Sequence, residues 1–142
     1  MNELRELYQE LIMDHGRHPR NFKTLPNATV SHDGYNPLCG DRVTLFLKID
    51  NDRIVDACFQ GGGCAISMAS ASMMTDTLKG KTTTEAKILF SLFQQLVMGS
   101  AVDSAEESLG KLAVLKGVSE FPARVKCATL AWHTMTEAIL QR

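Results

Sequence analysis

The chain has 142 residues, 44% hydrophobic and 22% charged, with a formal net charge of −1. This length predicts one domain over residues 1–142. A domain of that size buries roughly 68–70% of its unfolded surface and folds without disulfides. The charge balance excludes a nucleic-acid footprint, and no run approaches the ~20 apolar residues of a membrane span.

The first predicted element is a helix over residues 1–15, with Leu4, Leu7, Tyr8, Leu11 and Ile12 on one face. His15-Gly16 and His18-Pro19 close it. Glu3, Glu6, Glu10 and Asp14 distinguish it from a secretory signal, which is basic and then continuously apolar, so the expected compartment is the cytoplasm. A β section follows. Residues 29–32 form a short strand, and residues 43–49 alternate Val43, Leu45, Leu47 and Ile49 against Thr44, Phe46 and Lys48. Asp50-Asn51-Asp52 supplies a turn. Residues 53–60 return as a strand with Val55, Ala57 and Phe59 on one face and Ile54, Asp56 and Cys58 on the other.

Helices then take over. Residues 65–79 are rich in Ala, Ser and Met and stop at Gly80. Thr82 and Glu85 form a capping-box pair ahead of a helix with Ile88, Leu89, Leu92, Phe93 and Leu96 on one side, ending near Gly99. Ser104 and Glu107 repeat the pair before Leu109, Leu112, Ala113 and Leu115, and Gly117 breaks that helix. Ser119 and Pro122 open a last helix that runs to about Leu140. Strands first and helices afterwards predict an α+β fold: a three-stranded antiparallel sheet with helices packed on one face.

In a reducing compartment the four cysteines read as ligands, nucleophiles or core residues. Cys39 lies on the turn Asn36-Pro37-Leu38-Cys39-Gly40-Asp41, where Gly40 lets the backbone bring Cys39 and Asp41 to one point. Cys64 follows Gly61, Gly62 and Gly63 and opens a helix, whose N-terminal N–H groups favour a thiolate. Cys127 sits in the second predicted turn of the last helix, beside Arg124 and Lys126; on its own, a cysteine in such an Ala-rich helix reads as core more often than as ligand. Cys58, inside a strand with no turn or charge beside it, reads as a core cysteine. Three thiolates and a carboxylate suit four-coordinate zinc, although the spacing is not that of a zinc finger. Four anionic ligands leave the site about −2, which Arg42, Arg124 and Lys126 are placed to offset. The histidines add little: His15 and His18 read as surface residues, His133 as packed or surface, and His32, near the Cys39 loop, is a spare ligand only as the minority reading.

Several segments resemble the SufU branch of the IscU/NifU-like iron–sulfur assembly family. They are Leu7-Tyr8 through Ile12-Met13-Asp14-His15 to Pro19-Arg20-Asn21, then Asn36-Pro37-Leu38-Cys39-Gly40-Asp41. Next come Gly61-Gly62-Gly63-Cys64-Ala65-Ile66-Ser67 and Ala69-Ser70-Ala71-Ser72-Met73-Met74, and last the stretch from Phe121-Pro122 through Lys126-Cys127 to Trp132-His133. The resemblance implies that Cys39, Asp41, Cys64 and Cys127 are the metal ligands and that Cys39 accepts sulfur. It implies Zn²⁺ as the cofactor, or alternatively a transient [2Fe–2S] cluster or iron. The implied partners are a pyridoxal-phosphate-dependent cysteine desulfurase and downstream cluster-assembly or sulfur-accepting proteins. Lys126 stands where the IscU branch carries a histidine, the Leu-Pro-Pro-Val-Lys segment of that branch is missing, and residues 99–118 look like the insertion of the SufU branch. These departures favour a zinc-bound sulfur acceptor over a cluster scaffold, with a purely structural metal as the third reading.

Overall fold

The structure is a computed structural model that describes residues 2–100 and 103–142, and the side chains of 9–100 and 106–142. Leu4, Leu7 and Tyr8 of the first predicted face, and the Ser104 cap, lie outside the described side chains. In chain order the elements are α1 (Asn2–Arg17), β1 (Val30–Asn36), β2 (Asp41–Asp50), β3 (Arg53–Gly62), α2 (Ala65–Leu78), α3 (Thr83–Val97), α4 (Asp103–Leu109) and α5 (Val125–Gln141). Two 3₁₀ segments, Gly110–Glu120 and Pro122–Arg124, join α4 to α5.

The three strands form an antiparallel meander in the order β1-β2-β3. Asn51 and Asp52, both with positive φ (50° and 62°), make the tight turn between β2 and β3, the conformation that matches the twist of a two-residue hairpin. Val43, Leu45 and Leu47 of β2 point into the core as their alternation requires, and Ala57 and Phe59 of β3 join them. Val55 does not. Lys48 pairs with Asp56 and Ile49 with Ile54, so Val55 is the extra residue of a bulge. The bulge reverses the phase of the strand: Ile54 is buried and Val55 is exposed.

α2 and α5 lie across the buried face of the sheet. α2 is enclosed all round, with Ala69, Ser70, Ala71, Ser72, Met73 and Met74 all buried, which explains its lack of a polar face. Trp132 of α5 is fully buried and stacks on Phe93 of α3, with ring centroids 4.8 Å apart. Its indole N–H donates to Ser70 Oγ at 3.2 Å, and Ser70 in turn donates to the Ala128 carbonyl at 2.6 Å. Those bonds register α5 against α2 one residue from Cys127. α3 opens with the expected reciprocal cap: Thr82 Oγ1 accepts from Glu85 N–H, and the Glu85 carboxylate accepts from Thr82 N–H.

Besides Val55, and β1, which runs on from the predicted 29–32 to Asn36, other details differ from the sequence reading. α1 continues through His15-Gly16 to Arg17. His15 is buried, its Nδ1 2.7 Å from Ser72 Oγ, and is not a surface residue. The helix with Leu109 ends there, because Gly110 takes a φ of +58°, and Gly117 lies inside the 3₁₀ segment that follows. The last helix begins at Val125, so Cys127 is in its first turn and not its second. Among the described residues no helix is long and apolar enough to cross a membrane.

Candidate metal centre

Three chain junctions meet at one end of the sheet. The first is the hairpin loop between β1 and β2. Asn36 and Asp41 form the last rung of that ladder, leaving residues 37–40 as the loop that carries Cys39. Gly40 takes a φ of +70°, a left-handed conformation that a side chain resists, and the chain returns at once to Asp41. The second is the β3–α2 junction, where Cys64 is the N-cap of α2. Its Sγ accepts from Ser67 N–H at 3.4 Å, so a sulfur takes the place of the usual cap oxygen. The third is the first turn of α5, which supplies Cys127.

Asp41 ties the first two junctions together. Its carboxylate is fully buried, and Oδ1 accepts the Cys64 backbone N–H at 2.9 Å. That bond leaves Oδ2 free toward the sulfurs, with Cys64 Sγ 3.9 Å away. Cys127 Sγ lies 3.0 Å from Cys39 Sγ. One donor atom from each of Cys39, Asp41 and Cys127 falls within 4.8 Å of the others. Donors on one tetrahedral zinc, with bonds of about 2.0–2.3 Å, stand roughly 3.3–3.8 Å apart. The donor set fits zinc in type, and its three grouped atoms are close enough to share one ion after small side-chain adjustments. Cys64 stands beside the trio, in contact with Asp41.

Electrostatics point the same way. Burial pushes the Cys127 thiol far up from its ordinary value, and Cys39, Asp41 and Cys64 around it push it further. Acidic groups crowded in a desolvated place call for a cation. One is supplied by Arg124, whose guanidinium sits beside Cys127, Cys64 and Cys39, which push its pKa up. A cleft of about 560 Å³ opens at this point, lined by Leu38, Cys39, Pro122, Ala123, Arg124 and Lys126. Cys39 is half-buried at its wall, whereas Cys127 and Asp41 are enclosed.

Of the four residues picked from the sequence, Cys39, Asp41 and Cys127 group together and Cys64 lies next to Asp41. Other expectations are corrected. His32 points away as a spare ligand, since its Nε2 pairs with Glu137 Oε2 on α5 at 2.6 Å. Arg42 does not face the sulfurs and lies over the Tyr35 ring instead, 5.5 Å from the centroid. Cys58 is a core cysteine as expected, fully buried, its thiol raised by burial and by Asp56. Two residues with a part in the site carried too weak a signal to single out. Gly63 takes a φ of +152°, and a Cβ there would lie 2.3 Å from Asp41 Oδ1. Asn36 directs its carboxamide toward Cys127. The signals were the third glycine before Cys64 and an Asn-Pro at a strand end.

The comparisons with known proteins agree with this geometry. The profile of the NifU-like N terminal domain matches residues 7–140. A zinc-dependent sulfurtransferase SufU of Bacillus subtilis (strain 168) is 46% identical over 94% of this chain and 89% of its own length. An iron–sulfur cluster assembly scaffold protein IscU of Streptococcus pyogenes serotype M1 is 41% identical over 98% of this chain and 86% of its own. A crystal structure from Fervidobacterium islandicum AW-1, described as a candidate cluster assembly scaffold for the SUF system, superposes with a TM-score of 0.87 at 37% identity, covering 94% of this chain and 97% of that one. The match spans the sheet, its helices and all three junctions, and the chain belongs to the NifU-like N-terminal domain family, of which SufU and IscU proteins are members.

Proposed function

We propose that this chain is a zinc-bound sulfur acceptor of iron–sulfur cluster assembly, working in the cytoplasm. It takes sulfur from the persulfide of a pyridoxal-phosphate-dependent cysteine desulfurase, stimulates that enzyme, and passes the sulfur to downstream assembly proteins. The observation that carries this reading is the contrast within the donor set: Asp41 and Cys127 are enclosed and Cys39 and Cys64 half-exposed, but of the four only Cys39 lines the cleft. Cys39, Asp41, Cys64 and Cys127 would hold the metal. Zinc, when bound, keeps its cysteine ligands in the thiolate form and guards them against oxidation.

Within this reading each residue has a task. Cys39 thiolate attacks the outer sulfur of the desulfurase persulfide. A bond forms from Cys39 Sγ to that sulfur, and the S–S bond of the donor breaks. The electron pair leaves with the desulfurase cysteine as a thiolate, and the proton stays on the transferred sulfur. Arg124 and Lys126 line the cleft and offset the negative charge that passes from the Cys39 thiolate to the leaving thiolate of the desulfurase. Asp41 is held by the Cys64 N–H so that a single carboxylate oxygen faces the sulfurs.

The scaffold reading uses the same four residues to hold a labile [2Fe–2S] cluster, with Asp41 as the weak ligand that eases release. Lys126, in the position of the scaffold branch's histidine, favours sulfur transfer. The deciding experiment measures metal on protein purified without added metal, then titrates the protein and its Cys39→Ser variant into a desulfurase assay. About one zinc per chain, faster turnover, and a mass gain of one sulfur that Cys39→Ser abolishes are the expected results. Iron with acid-labile sulfide and unchanged turnover assigns the scaffold instead.

A further inference from the structure

Resting on the reading of this site as a metal centre, we infer that Asn36 is a positioning residue for it, acting on Cys127 and on the loop of Cys39 together. Asn36 is the last residue of β1 and lies opposite Asp41 across the ladder, with only 5% of its surface exposed. A buried carboxamide has to spend both its oxygen and its amide hydrogens on partners. Its Oδ1 accepts the Leu38 backbone N–H at 3.3 Å, an Asx turn that shapes the loop one residue before Cys39. Leu38 N–H is a donor only, so this contact fixes which way the amide faces. Nδ2 is then directed at Cys127 Sγ, 4.0 Å away and at the long end of the range for a donor to sulfur. One side chain spans the hairpin and the first turn of α5, the two elements whose sulfurs must share a metal.

The chemistry follows from that placement. A donor aimed at a metal-bound thiolate draws charge off the sulfur and fixes its direction, and removal of such outer partners costs about 10–100-fold in metal affinity. Asp41 reaches Cys64 on one side of the site, and Asn36 reaches Cys127 on the other. The two ends of a single ladder rung therefore reach Cys64 and Cys127, and Cys39 lies on the loop between them.

The test compares wild type with Asn36→Ser, whose hydroxyl still caps the Leu38 N–H but is too short for Cys127. Zinc affinity is measured by competition with a chromophoric chelator. The thiolate-to-metal charge-transfer band is recorded with Co²⁺ as the probe, and the melting of metal-free protein by circular dichroism. The expected results are zinc binding weaker by about tenfold or more, a displaced cobalt band, and an unchanged metal-free melting curve. Wild-type affinity and an unmoved cobalt band in Asn36→Ser overturn the inference and leave the metal centre standing. A lowered metal-free melting temperature with the cobalt band unmoved overturns it too, because that is what a structural asparagine gives. Failure of the wild type itself to bind Zn²⁺ or Co²⁺ overturns the reading of the site and the inference with it. Asn36→Asp, with the same shape and its donor replaced by an acceptor, carries the same outcomes should Asn36→Ser not fold.

Discussion

Three consecutive glycines join β3 to α2, and their surroundings predict three different outcomes for the same substitution. At Gly62 an added Cβ meets nothing within 4 Å. Gly61 has a φ of +150°, and its Cβ would fall 2.1 Å from the Arg42 carbonyl oxygen, a backbone atom of the neighbouring strand. Gly63 has a φ of +152°, and its Cβ would fall 2.3 Å from Asp41 Oδ1. Backbone conformations of this kind cost a non-glycine residue about 1–3 kcal/mol, while replacing glycine by alanine returns about 0.4–1 kcal/mol through the unfolded chain. Gly62→Ala is therefore expected within about 0.5 kcal/mol of wild type. Gly61→Ala loses about 2–4 kcal/mol once the displaced carbonyl is added to the strain. Gly63→Ala loses a similar amount and in addition forces Asp41 off the Cys64 N–H, a bond to a charged acceptor. Urea unfolding of metal-free protein, read as midpoints at constant slope, separates the first from the other two. Chelator competition then separates Gly63→Ala, which loses zinc affinity, from Gly61→Ala, which keeps it where folded. Equal destabilisation by all three substitutions would refute the reasoning, because the glycines would then matter only as a flexible run. Full zinc affinity in Gly63→Ala would refute the role given to Asp41.

Two further outcomes follow from buried side chains. His15 is buried against Ser72, and burial holds its imidazole below the ordinary value of 6.5, with Arg20 and Lys111 adding to the effect. The unfolded chain then binds the proton first, so the His15 contribution is complete above about pH 6.5 and is lost as pH falls through the depressed folded value. Unfolding midpoints taken between pH 7 and pH 5 fall for wild type and lose part of that slope in His15→Gln; an unchanged slope counts against a buried neutral imidazole. Cys58 is fully buried, with its thiol raised by burial and Asp56, so it reacts with a thiol reagent at neutral pH only on unfolding. Cys58→Ala is expected to cost on the order of 1 kcal/mol and to leave zinc content unchanged, and loss of zinc in that variant would place Cys58 at the site after all.

The fold was legible where a local rule had no competitor. The alternation from Val43 to Ile49, the Thr82–Glu85 cap and the turn at Asn51-Asp52 each have one solution, and the structure adopts it. Val55 shows where the rule ends. Residues 53–60 alternate well in either phase, and a bulge chooses the phase that buries Ile54. Period-two reading assumes an unbroken ladder, and a bulge leaves no mark in a strand whose two faces are both partly apolar. His15 was misread for a related reason. A histidine at a helix end faces water unless another element covers it, and here it bonds Ser72 of α2, whose Oγ also accepts the Arg20 backbone N–H.

The site divides along the same line. Cys39, Asp41 and Cys64 announce themselves because each lies next to a backbone event, a turn at Gly40 or a helix start after Gly63, whose purpose a strand or helix alone does not explain. Cys127 has no such neighbour. It is one small apolar residue in an Ala-rich helix, and local sequence reads it as core. What brings it to the others is the register of α5 on α2, set by Trp132, Ser70 and Ala128 and by the bulk of Phe93 against the indole. The donor geometry is therefore only partly a property of the cysteine-bearing segments. Part of it is written in a tryptophan five residues downstream of Cys127 and a serine on a different helix. A change at Ser70 that leaves the helices intact should accordingly loosen the metal, which chelator competition on a Ser70→Ala variant measures.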